Sequence, residues 1–173
     1  MNETLKVLTT RRSCRAYKPE LIKEEELSAI LEAGTYAATG MGRQSPIILA
    51  VTNRAIRDRM SRMNAAVMGA TNDPFYGAPE VLVVLADRAS TTHVKDGSLV
   101  LGNLMNAAAA LGVGSCWIDR AKEAFDTDEG KALLRELGVE GDYEGVGNLI
   151  LGYPAAPDKA PAPRKPDYVR YVR

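Results

Sequence analysis

Three guanidiniums and a hydroxyl fall within five residues at Arg11-Arg12-Ser13-Cys14-Arg15. A guanidinium fork meets phosphate oxygens two at a time and a serine hydroxyl adds a short donor, so the run has the chemistry of a phosphate clamp. A solvated basic surface segment is the other reading. A second basic pair, Arg164-Lys165, stands near the C-terminal end and joins such a clamp only if its segment folds back onto an anion. Gly112 and Gly114 lead into Ser115-Cys116-Trp117-Ile118, which carries the only tryptophan. Glycines there let backbone approach a flat ligand and leave N–H groups to donate to a ring nitrogen, while a tight helix-to-strand turn beside a core tryptophan explains the same residues.

Other chemistries are narrowed by what the chain lacks. His93 is the only histidine, which excludes the usual histidine metal clusters, and it reads as a surface or helix-start residue. No metal site is expected. Cys14 lies among arginines, a setting that favours reactivity, whereas Cys116 in an apolar run reads as structural. Two cysteines without a CxxC suit a reducing compartment better than a disulfide scaffold. No G-x-G-x-x-G or P-loop fingerprint occurs. Lys+Arg 22 balance Asp+Glu 22, so no global field holds nucleic acid or an anionic membrane. The longest apolar runs, Ile47 to Val51 and Val81 to Ala86, fall far short of a membrane span, and the expected location is the cytoplasm.

The elements that must position these groups follow from periodicity. At 173 residues the chain fits one domain, 1–173, with a real core. Helices are expected over Glu24 to Gly34, Arg54 to about Met68, Thr92 to Leu111 and Glu129 to Leu137, from apolar residues at i, i+3 and i+4. Ile47 to Val51, Val81 to Leu85, Ser115 to Ile118 and Val146 to Leu151 read as buried strands. The Arg11 to Arg15 cluster is expected just before a helix. Beyond Gly152, five prolines (154, 157, 161, 163 and 166) make residues 153–173 an extended arm, ending in the strand-like Tyr168-Val169-Arg170-Tyr171-Val172. Such an arm is either disordered or laid across another surface, and its aromatic end favours the second.

In this order the blocks RRSCRAY, EAGTYAATGMGRQSPI, NAAVMG, DPFYGAP, DGSLVLGNLMNAAAALGVGSCWI, LGYP and PRKPDYV resemble the FMN-dependent nitroreductase family, in its short single-domain bacterial branch. The resemblance implies an α+β fold: a mixed, mostly antiparallel sheet of four or five strands flanked by helices, with the Thr92 to Leu111 helix at a dimer core and the C-terminal arm exchanged between subunits. It implies that Arg11, Arg12, Ser13 and Arg15 hold the FMN phosphate and ribityl chain, completed by Arg164 and Lys165. Arg43, Gln44 and Ser45 match the segment that reaches the flavin of the opposite subunit, and Asn64 an amide touching the isoalloxazine. Cys116, Trp117 and Ile118 match the segment beneath the ring, with a backbone N–H near Asp119 as donor toward N5. Two departures stand out: Cys14 replaces a more usual apolar residue, and Arg43-Gln44-Ser45-Pro46 replaces an Asn and Gln-Pro-Trp pattern, which bears on the acceptor pocket.

The function implied is a homodimeric oxidoreductase passing hydride from NADH or NADPH through flavin N5 to nitro, quinone or related small acceptors, in ping-pong fashion and with no catalytic side chain of its own. A non-catalytic FMN-binding or sensing module, and a related flavoenzyme such as a reductive dehalogenase, are the alternatives.

Overall fold

The central strand β2 (Glu80–Asp87) is apolar on both faces because both faces are covered. Val81, Val83 and Leu85 point into one core cluster, and Leu82, Val84 and Ala86 into another. The computed structural model describes residues 2–157 and 160–173, so Asp158 and Lys159 of the expected arm lie outside the described residues. Around β2 the sheet runs β1 (Pro46–Val51), β2, β4 (Tyr143–Gly152), β3 (Gly114–Ile118), with every neighbouring pair antiparallel.

One face carries α2 (Glu24–Thr35) and the long α4 (His93–Ala110), which bury Leu27, Ile30, Leu101 and Leu104 against the sheet. Gly34 lets these two helices close up, since a Cβ there would stand 2.6 Å from Leu104 Cδ2. The other face carries α3 (Arg54–Val67), α5 (Ala121–Asp126) and α6 (Asp128–Glu136), which bury Met60, Met63, Phe125 and Leu133. Caps fix where α3 and α6 begin: Asn53 accepts from Ile56 N–H at 3.1 Å and Thr127 from Gly130 N–H at 3.0 Å.

A bulge opposite Val84 and Leu85 shifts the parity of β4, so Val146 and Leu149 both face the α2/α4 side. Gly147 beside the bulge leaves room for Trp117, whose Nε1 would stand 2.4 Å from a Cβ placed there.

The expected elements are present to within a few residues, and two unexpected helices join them. The first, α1 (Glu3–Thr10), buries none of its residues, so no apolar stripe marks it. The second, α5, is only six residues long. The arginine cluster therefore follows a helix instead of directly preceding one, a correction to the expectation.

Candidate functional site

From Arg11 the chain turns extended and runs along the free edge of β3. Cys14 N–H donates to Ser115 O at 2.9 Å, Lys18 N–H to Tyr153 O at 2.9 Å and Ala155 N–H to Ala16 O at 2.9 Å. Alternation along this segment turns Cys14 inward, where its Sγ reaches Ala16 O at 3.2 Å and sits 2.9 Å from where a Gly114 Cβ would be. With 5% of its surface exposed, Cys14 is a packing residue; the reactivity read from its arginine neighbours is corrected by burial. Tyr17 donates to Cys14 O at 2.7 Å, and burial pushes its phenol far above the usual range. These inward residues hold Ser13 and Arg15 outward.

Four arginines of the helices and of the turn after β2 are neutralised. Arg54, Arg57, Arg59 and Arg88 all pair with carboxylates. Among the described residues Arg11, Arg12 and Arg15 form no ion pair: Arg12 Nη1 donates to Thr9 O at 3.1 Å and Arg11 O at 2.6 Å, and Arg15 lies over the Tyr76 ring at 5.9 Å. Arg11 Nη1 is buried with no acceptor at all. An orphaned buried donor of this kind costs about 1–3 kcal/mol, more when charged, a cost that an anion at this edge would remove.

Beside this segment lies a cleft of about 260 Å3 lined by Arg15, Met68, Asn72, Tyr76, Trp117 and Arg120. In β3, Cys116 and Ile118 turn into the core while Trp117 stays 38% exposed, so the tryptophan is a cleft wall and not a core residue. Asn64, 1% exposed, lies behind this wall. Its Nδ2 donates to Asp119 O at 2.7 Å and its Oδ1 accepts from Arg120 Nε at 3.3 Å, so it clasps the turn leaving β3.

Tyr76 is positioned by a polar knot that sequence reasoning missed. The Asp73 carboxylate accepts from Arg57 Nη2 at 2.8 Å, Ser61 Oγ, Phe75 N–H at 2.9 Å and Gly77 N–H at 2.8 Å. Burial pushes this carboxyl up, but the four donors outweigh it and hold the pKa at about 2. The DPFYGAP block carried the signal, an Asx-type turn bounded by proline and glycine. Four other clefts are larger, of about 650, 480, 390 and 270 Å3, and the second of them, at Arg54 to Asp73, also holds arginines. There Arg54 and Arg57 are already paired with Asp58 and Asp73.

Arg43, Gln44 and Ser45 sit elsewhere. The turn that carries them is tied to α4 through buried Asp96, which accepts from Gly40 N–H at 3.0 Å, Thr92 Oγ1 at 2.9 Å and Ser45 Oγ at 3.3 Å. Ser45 lies level with Asp87 at one end of β2, whereas Ser13 lies level, through Ser115 and Leu151, with Glu80 at the other end and beyond the opposite sheet edge. Strand spacings of roughly 4.8 Å and rises of roughly 3.3 Å per residue separate the two by about 30 Å corner to corner. One chain does not bring them to a common small ligand. Arg164 and Lys165 are likewise exposed, and among the described residues Arg164 bonds only to Ala162 O, at 2.7 Å and 3.2 Å. Ligand pockets commonly enclose roughly 300–1,000 Å3, so this cleft of about 260 Å3 is small for a whole ligand site.

The model of the Nitroreductase family matches residues 8–74 and 65–153. A protein of Archaeoglobus fulgidus, named for a proposed NADH dehydrogenase/NAD(P)H nitroreductase activity, is 31% identical over 160 residues, covering 89% of this chain and 87% of that protein. An FMN reductase (NAD(P)H) of Bacillus subtilis is 24% identical over 178 residues, covering 90% of this chain and 67% of its own. Among solved structures, an FMN-bound nitroreductase of Bacteroides fragilis superposes over 100% of both chains with a TM-score of 0.92 and 29% identity. An FMN-bound nitroreductase of Desulfitobacterium hafniense does so with a TM-score of 0.91 and 29% identity.

Proposed function

The chain belongs to the nitroreductase family, and from that premise we propose that it is an FMN-dependent oxidoreductase of a single domain, working as a homodimer. It takes hydride from NADH or NADPH and gives it to small acceptors such as nitro compounds and quinones, the first substrate leaving before the second enters. The observation that carries this reading is the set of arginines without carboxylates at Arg11 to Arg15, one with a buried orphan donor, along the edge of a cleft open to a flat ring.

Arg11, Arg12, Ser13 and Arg15 would hold the phosphate end, and Trp117, Tyr76 and the turn at Asp119 and Arg120 would face the ring. When bound, FMN supplies the hydride chemistry, at N5 of its ring. The protein supplies position. Cys14 and Tyr17 lock the arginine segment against β3, Asn64 fixes the turn after β3, and the Asp73 knot fixes Tyr76. No side chain need carry a proton in the chemical step.

The second wall would come from the partner copy. The 30 Å separation calls for it if Gln44 and Ser45 are to meet the same ring, and α4 offers a surface for pairing. Leu99 is 51% exposed and Gly102 has nothing within 4 Å of a Cβ position. The arm leaves the arginine segment after Ala155, and its residues 160–173 are exposed, with Tyr168, Tyr171 and Val172 uncovered, as a strand meant for another chain would be.

Acid release and chromatography of the flavin from purified protein should give FMN and not FAD. Under nitrogen, NADH or NADPH should bleach the flavin, and a nitroarene or quinone should restore its colour. A yellow protein that neither nicotinamide bleaches would instead be a binding module, and a protein that takes up no FMN would overturn the reading.

A further inference from the structure

Four non-glycine residues adopt positive φ: Met41, Gln44, Tyr76 and Arg120. Two of them, Tyr76 and Arg120, line the cleft. Arg120 is the most displaced, at φ 71 and ψ 16, a left-handed conformation that costs a side-chain-bearing residue more than glycine. The backbone needs this conformation to turn from β3 into α5, and glycine would meet that need without strain. What the strain holds in place is therefore the arginine side chain. Asn64 aims it from the buried side: its Oδ1 takes the Nε–H of Arg120 at 3.3 Å while its Nδ2 grips Asp119 O at 2.7 Å. The two terminal nitrogens of Arg120 have no ion pair or hydrogen-bond acceptor among the described residues, in a cleft whose other fixed charges are Arg15 and the exposed Asp119.

We propose that Arg120 is a cofactor-side residue whose guanidinium stabilises the negative charge that reduction places on the flavin ring, so that it raises the reduction potential of bound FMN. The inference rests on the cleft being the FMN site. The charge balance is simple: a dihydronicotinamide gives up a hydride and becomes a cationic pyridinium, and the neutral ring that accepts the hydride becomes an anion. A fixed cation beside the ring favours the anion over the neutral ring. Asn64 acts as its positioning residue.

The test compares wild type with Arg120→Gly and Arg120→Lys by three measurements: thermal unfolding of the apoprotein, FMN affinity by fluorescence titration, and the midpoint potential of bound FMN by equilibration with redox dyes. Arg120→Gly should melt close to wild type as apoprotein, because relief of the backbone strain offsets the lost bond to Asn64 Oδ1. It should lose about tenfold in its preference for reduced over oxidised FMN, a potential roughly 30 mV more negative for a two-electron couple. Arg120→Lys should keep the strain and most of the potential. A glycine variant that melts lower while its FMN potential stays at the wild-type value makes Arg120 a structural residue and overturns the inference alone. A wild-type protein that takes up no FMN overturns the proposed function with it.

Discussion

Replacing Asp96 by alanine should unfasten the turn that carries Arg43, Gln44 and Ser45 without touching the arginine segment. Asp96 is 3% exposed, in the first turn of α4, where the helix dipole favours a carboxylate. It accepts three hydrogen bonds, from Gly40, Thr92 and Ser45. The turn needs them, because Met41 at φ 56 and Gln44 at φ 51 each hold a left-handed conformation that costs a non-glycine residue about 1–2 kcal/mol. Three bonds to a charged acceptor are worth about 1.5–3 kcal/mol each. Desolvating the carboxylate takes back several kcal/mol of that sum. The net cost of Asp96→Ala is then about 2–4 kcal/mol, or about 5–15 °C in melting temperature for a chain of this length. Asp96→Asn should lose far less, since its carbonyl still serves Gly40 N–H and both hydroxyls can rotate to accept from its amide. Thermal unfolding by circular dichroism gives the global figure, and hydrogen exchange over residues 38–46 gives the local one, with faster exchange expected at Gly40 and Gln44. If Asp96→Ala melts within a degree or two of wild type and leaves those amides protected, the turn holds itself and the argument fails.

Asp73 should shape the acid limb of stability. Its folded pKa, about 2, is depressed from the ordinary 3.8, so its contribution is complete above about pH 5 and is lost as pH falls through 2; urea unfolding from pH 2 to 6 should show this limb flattened in Asp73→Asn. Gly147→Ala should displace Trp117 from its seat and cost about 1–3 kcal/mol by overpacking. Because Trp117 is the only tryptophan, a shifted emission maximum reports it directly, and unchanged emission refutes the contact. Cutting the arm after Pro157 should leave the fold intact but weaken both the dimer and FMN retention, read by sedimentation and flavin content; a truncated protein that stays dimeric and yellow sinks the arm's role. A cut at Gly152 would be uninformative, since Tyr153 and Ala155 bond to the arginine segment.

The elements that were legible bury an apolar stripe or run. β2 announces itself in Val81 to Leu85, and α4 in Leu101, Leu104 and Ala108, because tertiary packing and local periodicity ask for the same residues there. α1 was invisible for the opposite reason: Leu5 and Leu8 remain about half exposed, so its helix rests on its Asn2 cap and not on a core face. At the proposed site, residue type suggested phosphate binding, but orientation needed the fold. Only the pairing of the segment with β3 shows that Cys14 turns inward between outward-facing neighbours. Only the exit from β3 shows that Arg120 takes a conformation suited to glycine. Asp73 and Asp96 were missed because their partners are mostly backbone N–H groups and hydroxyls of nearby turns, which leave no charge pattern to read.

The proposed dimer, if two-fold, has a consequence for how it would hold FMN. A symmetric interface is isologous, so if the Gln44 and Ser45 turn of one copy meets the cleft of the other, the reverse holds and the dimer has two equivalent sites, each built from both chains. A monomer then offers only the arginine edge and one wall, and binds FMN less tightly than the dimer does. By linkage, FMN must favour the dimer by the same factor by which the dimer favours FMN. Dilution should therefore release flavin and dissociate subunits over one concentration range, and added FMN should move that range to lower protein concentration. The guanidiniums of Arg11 to Arg15 fit this arrangement: their mutual repulsion and the orphaned donor on Arg11 would both be relieved by a bound phosphate.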